Sequence, residues 1–175
     1  MMTPKSLLRN KLCTSKVDDF TNGSSFHRVL WDDAQKGNSN TQLVKDKEIK
    51  RVVMCSGKVY YDLLEQRDAR ELNNIYLLRF EQFYPFPAMS AVKELERFQN
   101  AEMIWCQEEP KNQGAWSFME PNIEWVLSRI KAKFKRPTFV GRPASASPAT
   151  GLASQHKEQQ DLLVDEALNL KEIKK

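Results

Sequence analysis

Residues 50–58, KRVVMCSGK, decide the architecture of this chain. A short apolar run, β-branched at Val52 and Val53, is closed by Ser56 and Gly57; the apolar positions beyond it, Val59, Tyr60, Leu63, Leu64 and Leu72, then follow a helical rhythm. That pattern reads as a strand, a tight turn and a helix. The same unit recurs downstream. Residues 75–80, IYLLRF, predict a strand, followed by EQFYPFP and a helix over residues 88–98 with Met89, Val92 and Leu95 inward. Residues 102–107, EMIWCQ, predict the next strand, followed by a long loop and a helix that starts at Pro121, where the fixed proline φ suits a first turn, and that buries Ile123, Val126, Leu127 and Ile130. Residues 138–141, TFVG, predict a last strand, followed by RPASASPATG and a helix over residues 154–170. Strands alternating with helices predict a three-layer α/β fold, a mostly parallel sheet with helices on both faces and right-handed crossovers. Nearly continuous apolar runs suit strands buried on both sides.

The 175 residues have room for one ordinary domain plus tails. Residues 50–170 are expected to form it. Residues 1–49 read as a lead-in and linker with one docked segment, FHRVLW, polar from Thr14 to Lys50 in TNGSS, QKGNSNTQ and KDKEIK and expected to be mobile there; residues 171–175, KEIKK, read as a basic tail. Hydrophobic residues at 41% suffice for a core, and charged residues at 29% leave the rest well solvated. The net charge of +4 sits mostly in the ends, since residues 51–170 carry fifteen bases against sixteen acids. A nucleic-acid partner, which calls for a basic folded face, is therefore not expected. No apolar run approaches the ~20 residues that cross a bilayer, and the start, MMTPKSLLRNKL, lacks the apolar stretch of a signal peptide. The expected setting is intracellular, cytoplasmic or, in a eukaryote, an organelle matrix.

In such a sheet, ligands and partners meet the loops after the carboxyl ends of the strands. Ser56, Gly57 and Lys58 sit where a strand hands over to a helix, so free N–H groups and a lysine could receive a phosphate or carboxylate; a serine cap with a glycine turn is the plainer alternative. The nearest two glycines are ten positions apart, which excludes G-x-G-x-x-G and G-x-x-x-x-G-K-[ST]. Glu108 and Glu109 are neighbours at a strand end and point to opposite sides, so they are badly placed to share a proton, and Glu81 occupies the corresponding position one strand earlier. Three acids at this edge of the sheet could bind a metal or tune a site; loop anchoring or contact with another domain is the expected role. Cys13, Cys55 and Cys106 have no metal or redox spacing, and Cys55 and Cys106 read as reduced core thiols. Nothing in the spacing makes a nucleophile and base of Cys106 and His156. Aromatics crowd the loops at Phe80, Phe83, Tyr84, Phe86, Trp105, Trp116 and Phe118. Aromatics, prolines and amides on a loop face suit an interdomain or subunit interface.

Five blocks carry a family resemblance: TPKSLLRNKL (residues 3–12), CSGKVYYDLLEQR (55–67), FEQFYPFP (80–87), WCQEEPKNQGAW (105–116) and GRPASASPATG (141–151). In order and spacing they resemble the C-terminal end of 2-oxoglutarate dehydrogenase, the decarboxylating first component of its multienzyme complex. The likeness runs through about residue 170; the linker at 14–50 and the tail LKEIKK depart from it. The last two blocks fit that branch better than the pyruvate or branched-chain enzymes. The resemblance implies a transketolase-type C-terminal domain that packs on thiamine-binding domains and helps form a homodimer. It also implies an oxidoreductase of the citric acid cycle, which decarboxylates 2-oxoglutarate with thiamine diphosphate and Mg2+ and succinylates the lipoyl group of dihydrolipoyl succinyltransferase. The family holds its diphosphate through a Gly-Asp-Gly motif, which this sequence lacks, and its catalytic histidines do not map onto His27 or His156. The chain by itself is thus expected to bind no cofactor, to hold no catalytic residue and to be inactive. Interdomain candidates are Glu81, Gln82, Tyr84, Pro85, Gln107, Glu108, Glu109, Asn112, Gln113, Trp116 and Arg142. Some relatives respond to nucleotide effectors, for which Lys5, Ser6, Arg9 and Lys58 are the candidates here. The alternative is a free-standing α/β module that takes a phosphorylated or CoA-type ligand at Ser56–Gly57–Lys58.

Overall fold

A computed structural model describes residues 4–21, 23–37 and 39–170. Its strands are β1 (Val29–Leu30), β2 (Arg51–Cys55), β3 (Ile75–Phe80), β4 (Glu102–Cys106) and β5 (Thr138–Val140); its helices are α1 (Val59–Ala69), α2 (Ala88–Leu95), α3 (Trp116–Arg129) and α4 (Ala153–Leu168). They form one sheet in the order β1-β3-β2-β4-β5. β2 pairs in parallel with β3 and β4, β4 pairs in parallel with β5, and β1 alone runs antiparallel, Val29 opposite Phe80. Val29 and Leu30 of FHRVLW thus supply an edge strand to the α/β sheet that the sequence predicts, while Phe26 stays exposed.

The pleat sorts each strand between two cores. Val52 and Met54 of β2, Tyr76, Leu78 and Phe80 of β3, and Met103 and Trp105 of β4 face α2 and α3. Val53 and Cys55, Ile75 and Leu77, Ile104 and Cys106 face α1 and α4. Both faces of β2 are fully buried, which explains its unbroken apolar run. Cys55 and Cys106 are free and buried, and burial pushes the Cys55 thiol up to about 12, so both behave as protonated core side chains.

The structure corrects three expectations. Residues 32–37 and 39–49, part of the stretch expected to be mobile, are held against the sheet. Asp32 and Arg67 are an ion pair with both side chains fully buried, the Asp32 carboxylate accepts from Leu77 N at 2.7 Å and Ala34 N at 2.9 Å, and Val29 and Ile49 join the first core. Met89 is 75% exposed, because Ala91, Leu95 and Phe98 form the inward stripe instead. The third helix begins at Trp116, which leaves Pro121 inside it. Its first turn is set from a distance: Trp116 N donates to the Gln107 side-chain oxygen at 3.0 Å, so a buried amide performs the capping that a local residue usually supplies. The basic tail at 171–175 lies outside the described residues.

Candidate functional site

The chain leaves β2 through α1 to β3 on one side, then crosses over β2 to β4 on the other. Counted over the parallel strands this is the order 2-1-3-4, whose switch point lies between β2 and β4, where helices depart to opposite faces and open a crevice at the strand ends. A cleft of about 550 Å³ occupies that position. Ser56, Gly57 and Lys58 line it after β2, Gln107, Glu108, Glu109 and Gly114 after β4, and Phe83, Tyr84, Trp105 and Phe118 give it aromatic walls.

Gln107 organises the loop that follows β4. Its side chain is buried, its Oε1 accepts from Trp105 Nε1 at 2.9 Å and from Trp116 N, and its Nε2 is shared among the carbonyls of Glu109 (3.2 Å), Pro110 (3.2 Å) and Gln113 (2.8 Å). The loop closes so tightly on this amide that a Cβ at Gly114, where φ is +66°, would stand 2.9 Å from Gln107 Nε2. Asn112 Nδ2 and Gln113 Nε2 both donate to Ser145 O, at 2.9 and 3.0 Å, and Ser145 N donates back to Asn112 Oδ1 at 2.9 Å, which ties this loop to the one after β5.

A polar network stands beside the aromatic walls. Lys58 pairs with Glu108 at 2.7 Å and with Asp62 at 3.1 Å; burial works against its charge, but the two carboxylates outweigh it and hold the ammonium above the usual lysine value. Gln160 Nε2 donates to Asp62 (2.8 Å) and Glu108 (3.0 Å), while Arg142, also buried, donates to Gln160 Oε1 (3.1 Å) and meets His156 Nδ1 at 3.0 Å. A guanidinium only donates, so His156 Nδ1 is the acceptor there. A phosphate at Ser56–Gly57–Lys58 would have to displace both carboxylates from the lysine.

Tyr84, Gln107, Glu108, Glu109, Asn112, Gln113, Trp116 and Arg142 therefore gather at this edge of the sheet, around the cleft or in the loops that brace it. Gln82 donates to Pro85 O at 2.7 Å and shapes its own loop, and Glu81 pairs with Arg79 at 2.7 Å. Lys5, Ser6 and Arg9 are exposed around a short 3-10 turn, and the residue that reaches the cleft from that segment is Pro4. Sequence reasoning missed Gly114 and Gln160, because the partners that give them a role lie across loops.

A protein-family model described as 2-oxoglutarate dehydrogenase C-terminal matches residues 14–168. The chain belongs to that family. It is 57% identical over 169 residues to the 2-oxoglutarate dehydrogenase E1 component of Brucella anthropi, a match that covers 96% of this chain and 17% of that protein. The E1 components of Brucella ovis and Brucella canis match at the same identity and coverage. The chain thus spans about 17% of the length of these relatives, at the C-terminal end that the resemblance indicated. The cleft does not fit a thiamine diphosphate–Mg2+ centre. Glu108 is already engaged by Lys58 and Gln160, Glu109 is the one carboxylate of the lining without a partner among the described residues, and the described residues contain no cluster of His, Cys, Asp and Glu able to hold a metal ion. No described helix is long and apolar enough to cross a membrane.

Proposed function

We propose that this chain is the C-terminal structural and dimerisation domain of a 2-oxoglutarate dehydrogenase E1 component, and that its switch-point cleft docks against the rest of that protein. On this reading the assembled homodimer performs thiamine-diphosphate-dependent oxidative decarboxylation of 2-oxoglutarate. It hands the succinyl group to the lipoyl groups of dihydrolipoyl succinyltransferase within the citric acid cycle, in the cytoplasm of a bacterium. The reaction centre and its Mg2+ belong to the other domains. The contribution of this chain is a rigid face: the Gln107 amide fixes the loop at residues 107–116, Ser145 ties that loop to the next, and the exposed Tyr84 ring projects beside them. The observation that carries the reading is this braced loop face, which spends its polar groups on holding shape and leaves aromatic rings outward.

The test is complementation. The E1 component of Brucella anthropi, truncated to lack the part that this chain matches, is mixed with residues 1–175 and assayed for 2-oxoglutarate decarboxylation with thiamine diphosphate and Mg2+. Association and restored turnover by the pair, with none from either part alone, are the expected results. Turnover by the 175-residue chain alone would refute the assignment, as would a failure of the two parts to associate.

A further inference from the structure

The docking reading says that something fills the cleft, and the lining says what that something carries. We propose that the cleft receives an arginine side chain from the docked segment, the guanidinium packing against the exposed rings of Tyr84 and Phe118 and pairing with the carboxylate of Glu109. This rests on the docking reading and adds the chemistry of the partner.

The lining holds one cation, Lys58, and two carboxylates, Glu108 and Glu109. Lys58 is already taken by Glu108 and Asp62, and Glu108 also accepts from Gln160, so the one cation of the lining is engaged within the wall and leaves no positive charge to spare. Glu109 is exposed, and its carboxylate has no cation or donor among the described residues. The side chain nevertheless leaves from a fixed point, since Glu109 O accepts from Gln107 Nε2 at 3.2 Å and Glu109 Cβ lies against Gly114. An unpaired carboxylate on a rigid loop, in a lining with net negative charge, selects a cation and disfavours phosphates.

The aromatic walls narrow the choice. Tyr84 is 83% exposed and Phe118 39% exposed, although Phe83 and Trp105, deeper in the cleft, already pack edge to face at 6.1 Å. Two large rings left outward in the same lining as a carboxylate without a partner among the described residues offer the two halves of a cation–π site, which stabilises most when the approaching cation is partly desolvated. Arginine suits it better than lysine: its planar group stacks on a ring face and presents paired N–H donors to a carboxylate, and it is less strongly hydrated than an ammonium.

The isotope-labelled chain can be titrated with N-acetyl-arginine methylamide and, separately, with the neutral isostere N-acetyl-citrulline methylamide, and followed by NMR. The expected result is binding of the arginine probe in the millimolar range, about right for so small a ligand. Shifts should centre on the Tyr84 and Phe118 rings and the Gly114 amide, and the citrulline probe should bind at least roughly fivefold more weakly. Glu109→Gln should erase that preference and leave the rest of the spectrum in place. Equal binding of the two probes, or shifts outside the cleft, would overturn the proposal. In the complementation assay, a roughly tenfold loss of affinity of the Glu109→Gln chain for the truncated relative supports the pairing. Association with undiminished affinity sinks the arginine inference and leaves docking standing, so the two readings fail separately.

Discussion

Residues 4–28 and residues 29–49 are written in the same polar alphabet, and the protein treats them oppositely. In the first stretch Leu8, Val17, Phe20 and Phe26 are all more than two-thirds exposed, and the short turns there bury nothing. In the second, Asp32 is inaccessible, Thr41 and Ile49 are buried, and Ser39 and Thr41 donate to Asp68 at 2.7–2.8 Å. Apolar content does not separate the two. What separates them is a carboxylate with a buried guanidinium to meet: Asp32 reaches Arg67, and the chain on either side of it follows. Ordering a polar segment costs about 1–2 kcal/mol per residue in backbone freedom, so a few strong, specific contacts decide whether it is held.

Arg67→Met leaves Asp32 as a buried charge without its partner, and the expected loss is about 3–5 kcal/mol in urea unfolding, with hydrogen exchange over residues 32–44 accelerating. A loss below about 1 kcal/mol would mean that apolar packing at Val29 and Ile49 holds the segment instead. A smaller effect sharpens the picture through pH. Burial opposes ionisation of Asp68, but the hydrogen bonds from Thr41, Ser39 and Asn40 N, with the charge of Arg67, outweigh it and hold the carboxyl below its ordinary value. A depressed folded-state pKa contributes stability above the unfolded value, ~3.9, and loses it as pH falls through the folded value, so the urea midpoint should drop below about pH 4. Asp68→Asn should flatten that drop, and an unchanged profile would remove Asp68 from the account. The smallest effect belongs to the other stretch: Phe20→Ser, at a ring 77% exposed, should move the unfolding free energy by no more than about 0.5 kcal/mol. A larger loss would show that the turn at Val17–Phe20 is held after all.

Much of the fold was legible because strands and helices are written locally. The runs at 51–55, 75–80 and 102–106 became parallel strands, and Ile123, Val126 and Leu127 took the inward face of their helix. The family too was readable, from loop blocks that keep their order and spacing. What stayed hidden depends on partners far apart in the chain. The start of α3 at Trp116 is set by the amide of Gln107, and a reader of the local sequence sees only Pro121. The cleft comes from the crossing of β2, and strand order is not a local property. Arg67 did leave a trace: it shares the buried face of α1 with Leu63 and Leu64, and a cation on an apolar helix face asks for a buried anion. The sequence does not say which of its carboxylates answers.

The two-residue strand β1 and the carboxylate just beyond it have one more effect. β3 would otherwise offer a free border of amides and carbonyls to any passing strand, a template for aggregation. Val29 and Leu30 cover its far end, Arg28 O takes the amides of Glu81 and Gln82 at 3.0–3.1 Å, and Asp32 occupies the amide of Leu77. A segment that also lends Val29 and Ile49 to the first core thus serves as a selvedge, and keeps one copy of this sheet from knitting onto the next.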